Sequence, residues 1–265
     1  MQVYLVFLKM NRDIWVIKIG SALLTDNGKG LDKAAIAKWT EQMGFLKKNS
    51  IDCILVSSGA IAEGMQRMKW SSRPSNIHEL QAAAAIGQMG LVQTYESLFS
   101  QFGIHTAQIL LTHENLQGGK TLDNVRSTIH TLLSLGVVPI VNENDTVATE
   151  EIKFGDNDTL AARVSNLINA KRLIILTDQG GVYDSDPREN TSAKLISKIQ
   201  ANDELLEKVA SRKGGSLGSG GMYTKVLAAR TACDSGTETI IASGHMDSVL
   251  IKLFEKEKIG TLIHC

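Results

Sequence analysis

Two lysines and two acidic clusters are the residues of this chain whose types and spacing can do chemistry. Lys18 interrupts the apolar run Ile14-Trp15-Val16-Ile17-Lys18-Ile19-Gly20. Lys225 ends a glycine-rich stretch, Lys213-Gly214-Gly215-Ser216-Leu217-Gly218-Ser219-Gly220-Gly221-Met222-Tyr223-Thr224-Lys225. Between them lie Asn142-Glu143-Asn144-Asp145 and Gly155-Asp156-Asn157-Asp158, with Glu150 and Glu151 in the interval. Lysines and glycine-lined turns suit a phosphate chain, because bare backbone N–H groups can close around its oxygens. Carboxylates repel those oxygens unless a cation intervenes. Three cations are available: the lysines, Mg²⁺ bridging nucleotide phosphates, and an ammonium on the substrate. In this reading Asp158 orients Lys18 and Lys225, while Asp145 holds the substrate ammonium.

The flanking residues indicate which elements carry these groups. Val137-Val138-Pro139-Ile140-Val141 leads into the first cluster as a buried strand, and Leu160, Val164, Leu167 and Ile168 mark one face of a helix opened by the second. Strand carboxyl ends are where open α/β sheets bind ligands. Helix capping accounts for one Asp or Asn of the second cluster, but not for the first cluster. Ile14–Gly20 reads as a first strand. Its Lys18 is either a cation at a strand end or an edge residue with a snorkelling stem. Ile51–Val56 is a second strand running into Ser57-Ser58-Gly59-Ala60, either an anion-receiving turn or a simple cap. Arg172–Thr177 is a strand ending at Asp178-Gln179-Gly180-Gly181. The loop over 182–188 holds either a ribose or plain turn chemistry. The glycine-rich stretch lacks both GxxxxGK[ST] and a complete GxGxxG, and a flexible linker has a similar composition. What distinguishes it is Lys225 on the first turns of the following helix.

Further helices are expected around Ile36, Trp39, Met43 and Leu46, over 77–102, over 121–135 and near 246–255. Further strands are expected at 105–111, 237–242 and 261–264. Gly87 and Gly90 inside the Ala-rich helix over 77–102 imply close helix packing. Strands and helices alternate throughout. The expectation is therefore α/β: a three-layer α/β/α sandwich with a central, mostly parallel sheet, forming a single domain over 1–265 with 1–12 as a possible extra leader.

Composition excludes several classes. The chain has 265 residues, 43% apolar and 21% charged, with 28 basic and 28 acidic residues. That balance gives no basic surplus for nucleic acid. Cys53, Cys233 and Cys265 are far apart and odd in number, which predicts a reducing cytoplasm and no disulfide framework. The histidines form no HExxH-type pair, and no apolar run is long enough to span a bilayer. The N-terminal MQVYLVFLK lacks a basic n-region and a cleavage site, so it reads as a leader or extra strand rather than a signal peptide, with Met10 as an alternative start.

The segments IKIGSALLT, SSGAIAEG, NENDTVATEEIKFGDND, TDQGGVYDSDPR and GSGGMYTK, in this order, resemble the amino-acid kinase family. They are most similar to its branch that phosphorylates the γ-carboxylate of L-glutamate at the start of proline synthesis. The resemblance runs from Asp13 to the end, and its specificity lies in the combination of NEND, GDND and GGMYTK. It implies the amino-acid kinase fold, with ATP and Mg²⁺ as cofactors and the metal held mainly by the ATP phosphates. It implies that Lys18 stabilises charge on the transferring phosphoryl group, that Gly20 and Gly59 offer backbone donors nearby, and that Asp158 organises Lys18 and Lys225. Ser58, Asp145 and Asn157 are then the glutamate-binding positions. Thr177 and Asp178, with Ser219, Gly220, Gly221, Met222, Tyr223, Thr224 and Lys225, form the ATP-binding segments. Feedback inhibition by proline, a homo-oligomer and contact with the next enzyme of the pathway are further expectations, with no nucleic acid and no membrane among the partners. Many such kinases carry an added C-terminal domain resembling RNA-binding modules, whereas this chain stops just after the final expected kinase strand. Rival readings are a kinase of N-acetylglutamate, aspartate or carbamate, and a non-catalytic sensor of nucleotides or amino acids on the same fold.

Overall fold

The computed structural model describes residues 12–25, 30–147, 157–211 and 221–265. In chain order the elements are β1 (Asp13–Ile19), α1 (Ser21–Leu24), α2 (Lys33–Lys48), β2 (Ile51–Val56), α3 (Ala60–Arg67), α4 (Ile77–Ser100), β3 (Thr106–Leu111), α5 (Gly119–Ser134), β4 (Val138–Glu143), α6 (Asn157–Leu167), β5 (Arg172–Thr177), β6 (Lys198–Gln200), α7 (Glu204–Ser211), α8 (Met222–Cys233), β7 (Glu238–Ser243), α9 (Val249–Phe254) and β8 (Thr261–His264). Among the described residues the strands form one eight-stranded sheet in the order β3-β4-β2-β1-β5-β7-β8-β6. Every neighbouring pair is parallel except β7 with β8. The expected α/β class with a mostly parallel sheet is therefore the observed one. β6, α1 and α7 went unread in the sequence. β6 is three residues long and buries only Ile199, too little to give a periodic signal.

The alternation of a strand decides which face each side chain joins. In β1, Trp15, Ile17 and Ile19 enter a core with Trp39, Met43 and Leu46 of α2, Leu91, Tyr95 and Phe99 of α4, and Leu250 and Leu253 of α9. Val16 turns to the opposite core, formed with Ala161 and Val164 of α6, Val226 and Ala229 of α8, and Ile129 and Leu133 of α5. Helices thus cover both faces, which makes the three layers. Lys18 is two residues from Val16, so alternation aims it at the α6 and α8 side. β1 lies between β2 and β5, with Lys18 beside Val56 on one side and Ile175 on the other. Lys18 is therefore on a central strand, and the edge-strand reading falls.

Close approach on the other face depends on glycine. A Cβ on Gly64 of α3 would stand 1.8 Å from the Ala83 carbonyl oxygen of α4, and one on Gly87 would stand 1.8 Å from the Ala60 carbonyl oxygen. The two helices touch backbone to backbone, as the small residues of the 77–102 segment implied.

The expectation of no disulfide is corrected. Cys233, at the end of α8, and Cys265, after β8, form a disulfide with a Cα–Cα distance of 5.3 Å. The sheet order explains the error. β7 follows α8 and pairs antiparallel with β8, which brings two cysteines 32 residues apart to one place. Spacing along the chain carries no trace of that. Cys53 is buried and free, and burial pushes its thiol up to about 12.

Candidate active site

The parallel strands β1, β2, β4 and β5 end on one side of the sheet, and the candidate residues gather there. Lys18 is the penultimate residue of β1, and Ser57 and Ser58 follow β2. Asn142 and Glu143 close β4, and Thr177 closes β5. The first acidic cluster thus begins inside the strand, where Asn142 and Glu143 are buried, and Asp145 opens the turn that follows, half-buried. Asn157 and Asp158 begin α6, as the helix pattern required. Small residues, Ala161, Ala162 and Ser165, let α6 lie against both the sheet and α8.

Asp158 is fully buried at the centre of this region. Lys18 Nζ lies 2.5 Å from its Oδ1, and Lys225 Nζ lies 3.0 Å from its Oδ2. The Thr224 hydroxyl also donates to Oδ2, at 2.9 Å. Lys18 and Lys225 are themselves only 4% and 5% exposed. Burial by itself would push the Asp158 carboxyl up. The two ammonium charges, Lys18 first, and their hydrogen bonds outweigh it and hold the group at about 2. At neutral pH the carboxylate is fully ionised, and the three groups carry a net single positive charge. Lys225 reaches Asp158 because it lies in the first turns of α8, on the face that also buries Ala228, Ala229 and Ala232.

A second network surrounds Asn157. Its Nδ2 donates to the Ser57 carbonyl at 2.5 Å, to Asn142 Oδ1 at 2.8 Å and to Ser58 Oγ at 3.0 Å. Asn142 Nδ2 in turn donates to Gln88 Oε1 of α4 at 2.8 Å. Ser57 Oγ is 2.9 Å from the buried Tyr95 hydroxyl. Burial raises the Tyr95 phenol, and the hydrogen bond with Ser57 offsets part of that rise. Neither serine caps α3. That position belongs to Gly59, whose φ of 95° is one that glycine adopts readily.

The other expected residues divide. Gly221 is the N-cap of α8 and makes no side-chain cap, so the first N–H groups of that helix carry no cap from it. Met222 is half-buried and Tyr223 is exposed. Thr177 donates to Asp178 Oδ1 at 2.9 Å at the end of β5. Gly20 departs from expectation: its N–H donates to the Leu176 carbonyl at 3.1 Å instead of standing open. A Cβ there would sit 3.3 Å from that same oxygen, so close strand packing explains the glycine. Ser219, Gly220, Gly155, Asp156, Glu150 and Glu151 lie outside the described residues.

Among the described residues no group of three His, Cys, Asp or Glu side chains is placed to hold a metal ion. The Asp158 carboxylate is already occupied by two ammonium groups, so the centre is cationic and suited to phosphate oxygens. Thr224 was named only as part of a segment, and Gln88 was missed. Gln88 had one signal: it is a polar residue at the buried spacing of Leu80, Ala84, Gly87 and Leu91 in α4.

The amino acid kinase family model matches residues 13–243. Among curated proteins, the glutamate 5-kinase of Hydrogenovibrio crunogenus is 59% identical over 249 residues, 94% of this chain and 66% of that protein. The glutamate 5-kinase of Pseudomonas savastanoi pv. phaseolicola is 57% identical over 249 residues, covering 94% and 68%. That of Nitrosospira multiformis is 58% identical over 254 residues, covering 96% and 68%. The chain therefore spans about two thirds of the length of these relatives. Among solved structures, the UMP kinase from Bacillus anthracis superposes with a TM-score of 0.63 at 14% identity, over 95% of this chain and 96% of that one, a likeness of fold. The α/β sheet with a lysine–aspartate–lysine centre at its strand ends and the match over 13–243 lead to one conclusion: the chain belongs to the amino acid kinase family.

Proposed function

We propose that this chain is a glutamate 5-kinase, transferring the γ-phosphoryl group of ATP to the γ-carboxylate of L-glutamate to give L-glutamyl 5-phosphate and ADP. The observation that carries the reading is the pairing of Lys18 and Lys225 on one buried aspartate, in a chain 57–59% identical to glutamate 5-kinases. The acceptor carboxylate is already ionised at neutral pH, its ordinary pKa being about 4.3, so no protein base is needed. The protein's work is then positioning and charge stabilisation. Lys18, at the end of β1, neutralises charge on the phosphoryl group in transit. Lys225 and the first turn of α8, which Gly221 does not cap, receive the nucleotide phosphates. Thr177 and Asp178, with Gly221, Met222, Tyr223 and Thr224, bind the rest of the nucleotide in this reading. Mg²⁺ carried in with ATP would supply further neutralisation of the phosphate charge, beside the Lys18 and Lys225 ammonium groups.

On the acceptor side, Ser58, Asn157 and Asp145 bind glutamate, with Asp145 facing its ammonium. Gly59, next to Ser58, offers its backbone N–H near the transferring phosphoryl group. The whole of 1–265 acts as one catalytic unit in the cytoplasm, with no helix among the described residues long and apolar enough to cross a membrane. Proline inhibition, self-association and hand-over to the next enzyme belong to the same proposal. The test is ADP release with glutamate, with and without proline, and hydroxylamine trapping of the acyl phosphate. Turnover with glutamate above that with N-acetylglutamate or aspartate is the expected result. ATP consumption indifferent to glutamate would sink the reading.

A further inference from the structure

We propose that Gln88 is a positioning residue for acceptor recognition, acting through Asn142 to hold the Asn157 amide with its oxygen turned to the substrate's ammonium. The inference rests on the reading of Asn157 as an acceptor-binding residue.

The direction of the hydrogen-bond line is set by chemistry. The Ser57 carbonyl can only accept, so the arm of Asn157 that meets it is the NH₂. The same Nδ2 faces Asn142, so Asn142 must present its oxygen there and its NH₂ at the other end. Gln88 receives that NH₂ on Oε1. The Ser57 carbonyl thus sets the direction of the line, and Gln88 Oε1 closes it as the acceptor that holds the Asn142 NH₂ in place. Gln88, Asn142 and Asn157 are each more than nine-tenths buried, so none can turn over at low cost. Three acceptors already share the two hydrogens of Asn157 Nδ2. That leaves the amide oxygen as the arm a ligand can use, and an oxygen selects a donor such as an ammonium.

Stability alone does not account for Gln88. Its Nε2 is buried and has no hydrogen-bond partner among the described residues. A leucine there would leave no such donor, and an orphaned buried donor is costly. What the glutamine contributes is its oxygen, at the end of a line that leads from α4, across β4, to the first residue of α6.

The test compares wild type, Gln88→Leu and Gln88→Glu, with hydroxamate trapping of the acyl phosphate from glutamate and from glutarate, which has the same reacting carboxylate and no amine. Gln88→Leu is expected to raise KM for glutamate about tenfold, with kcat and KM for ATP within about twofold, the scale of one lost hydrogen bond. Its preference for glutamate over glutarate should fall by a similar factor, because glutarate never used the Asn157 oxygen. Gln88→Glu keeps an acceptor facing Asn142 and should restore both. If Gln88→Leu does not fold, Asn142→Ser interrupts the same line one link nearer the acceptor and must show the same split. An unchanged glutamate KM, an equal loss with both acceptors, or no rescue by Gln88→Glu would overturn the proposal. Wild type that turns over glutamate alongside an unaffected Gln88→Leu removes only this inference. Wild type that does not turn over glutamate removes the reading of the function and this inference with it.

Discussion

Lys18 and Lys225, from opposite ends of the chain, are held on different oxygens of the same carboxylate, at 2.5 Å and 3.0 Å. Asp158 holds two like charges side by side inside the protein. Two buried ammonium groups repel each other and each resists desolvation. The aspartate between them offsets both penalties while leaving one positive charge over.

That surplus charge is what a phosphoryl group in transit would meet, so the lysines should matter to rate more than to fold. Lys18→Ala is expected to lower kcat by roughly 10³–10⁵, the cost of removing a comparable transition-state cation, with the protein still folded. Steady-state ADP release and circular dichroism on the same preparation check this. A near-normal kcat in Lys18→Ala contradicts the role.

Asp158 sets a pH window for stability. Its folded pKa of about 2 lies below the ordinary value of 3.8, so the unfolded chain binds the proton more tightly. The contribution is complete above about pH 4 and is lost as pH falls through about 2, amounting to roughly 2 kcal/mol. Urea unfolding between pH 5 and 2.5 should show this loss in wild type and a shallower slope in Asp158→Asn. The variant should be less stable at every pH above 4, because both ammonium groups lose their counter-charge. Equal slopes for the two proteins would count against the assignment.

The Cys233–Cys265 disulfide closes a loop of 32 residues between α8 and β8. Chain-entropy arguments put its stabilisation at about 3–4 kcal/mol, which for a chain of this size is roughly 5 °C or more in Tm. Reductant, or Cys265→Ser, should therefore lower Tm by that amount in a thermal melt. Activity well below the melt should hold, since Lys225 lies at the other end of α8. A melt unchanged by reductant contradicts this account.

Gly64 allows α3 and α4 to touch through their backbones. Gly64→Ala would put a methyl 1.8 Å from the Ala83 oxygen, so the helices must part. Overpacking of this kind costs about 1–3 kcal/mol, read as a lower urea midpoint. Because α4 also carries Gln88, KM for glutamate should rise in the same variant.

Most of the strand ends could be read from the sequence, and so could the lysines and Asp158. β1, β2, β4 and β5 are largely apolar runs, broken by Lys18 in β1 and Asp52 in β2, as suits central parallel strands, and each ends in small or polar residues. What could not be read depends on neighbours distant along the chain. The partnership of Gln88 with Asn142 spans 54 residues, and that of Asn157 with the Ser57 carbonyl spans 100. Gly20 looked like an open backbone donor because glycine beside a lysine suggests an anion. The neighbouring strand β5 uses its N–H instead. The disulfide was hidden for the same reason, since sheet order and not spacing unites its ends.

The alternation in β1 makes that strand intolerant of any change in length. Insert or delete a single residue ahead of Lys18 within it, and the ammonium swings through the sheet toward Trp39 and Met43, away from Asp158. Two residues would bring it back to the proper side, but a full pleat away from Asp158. Composition would scarcely alter in either case, and the lysine–aspartate–lysine cluster would be gone.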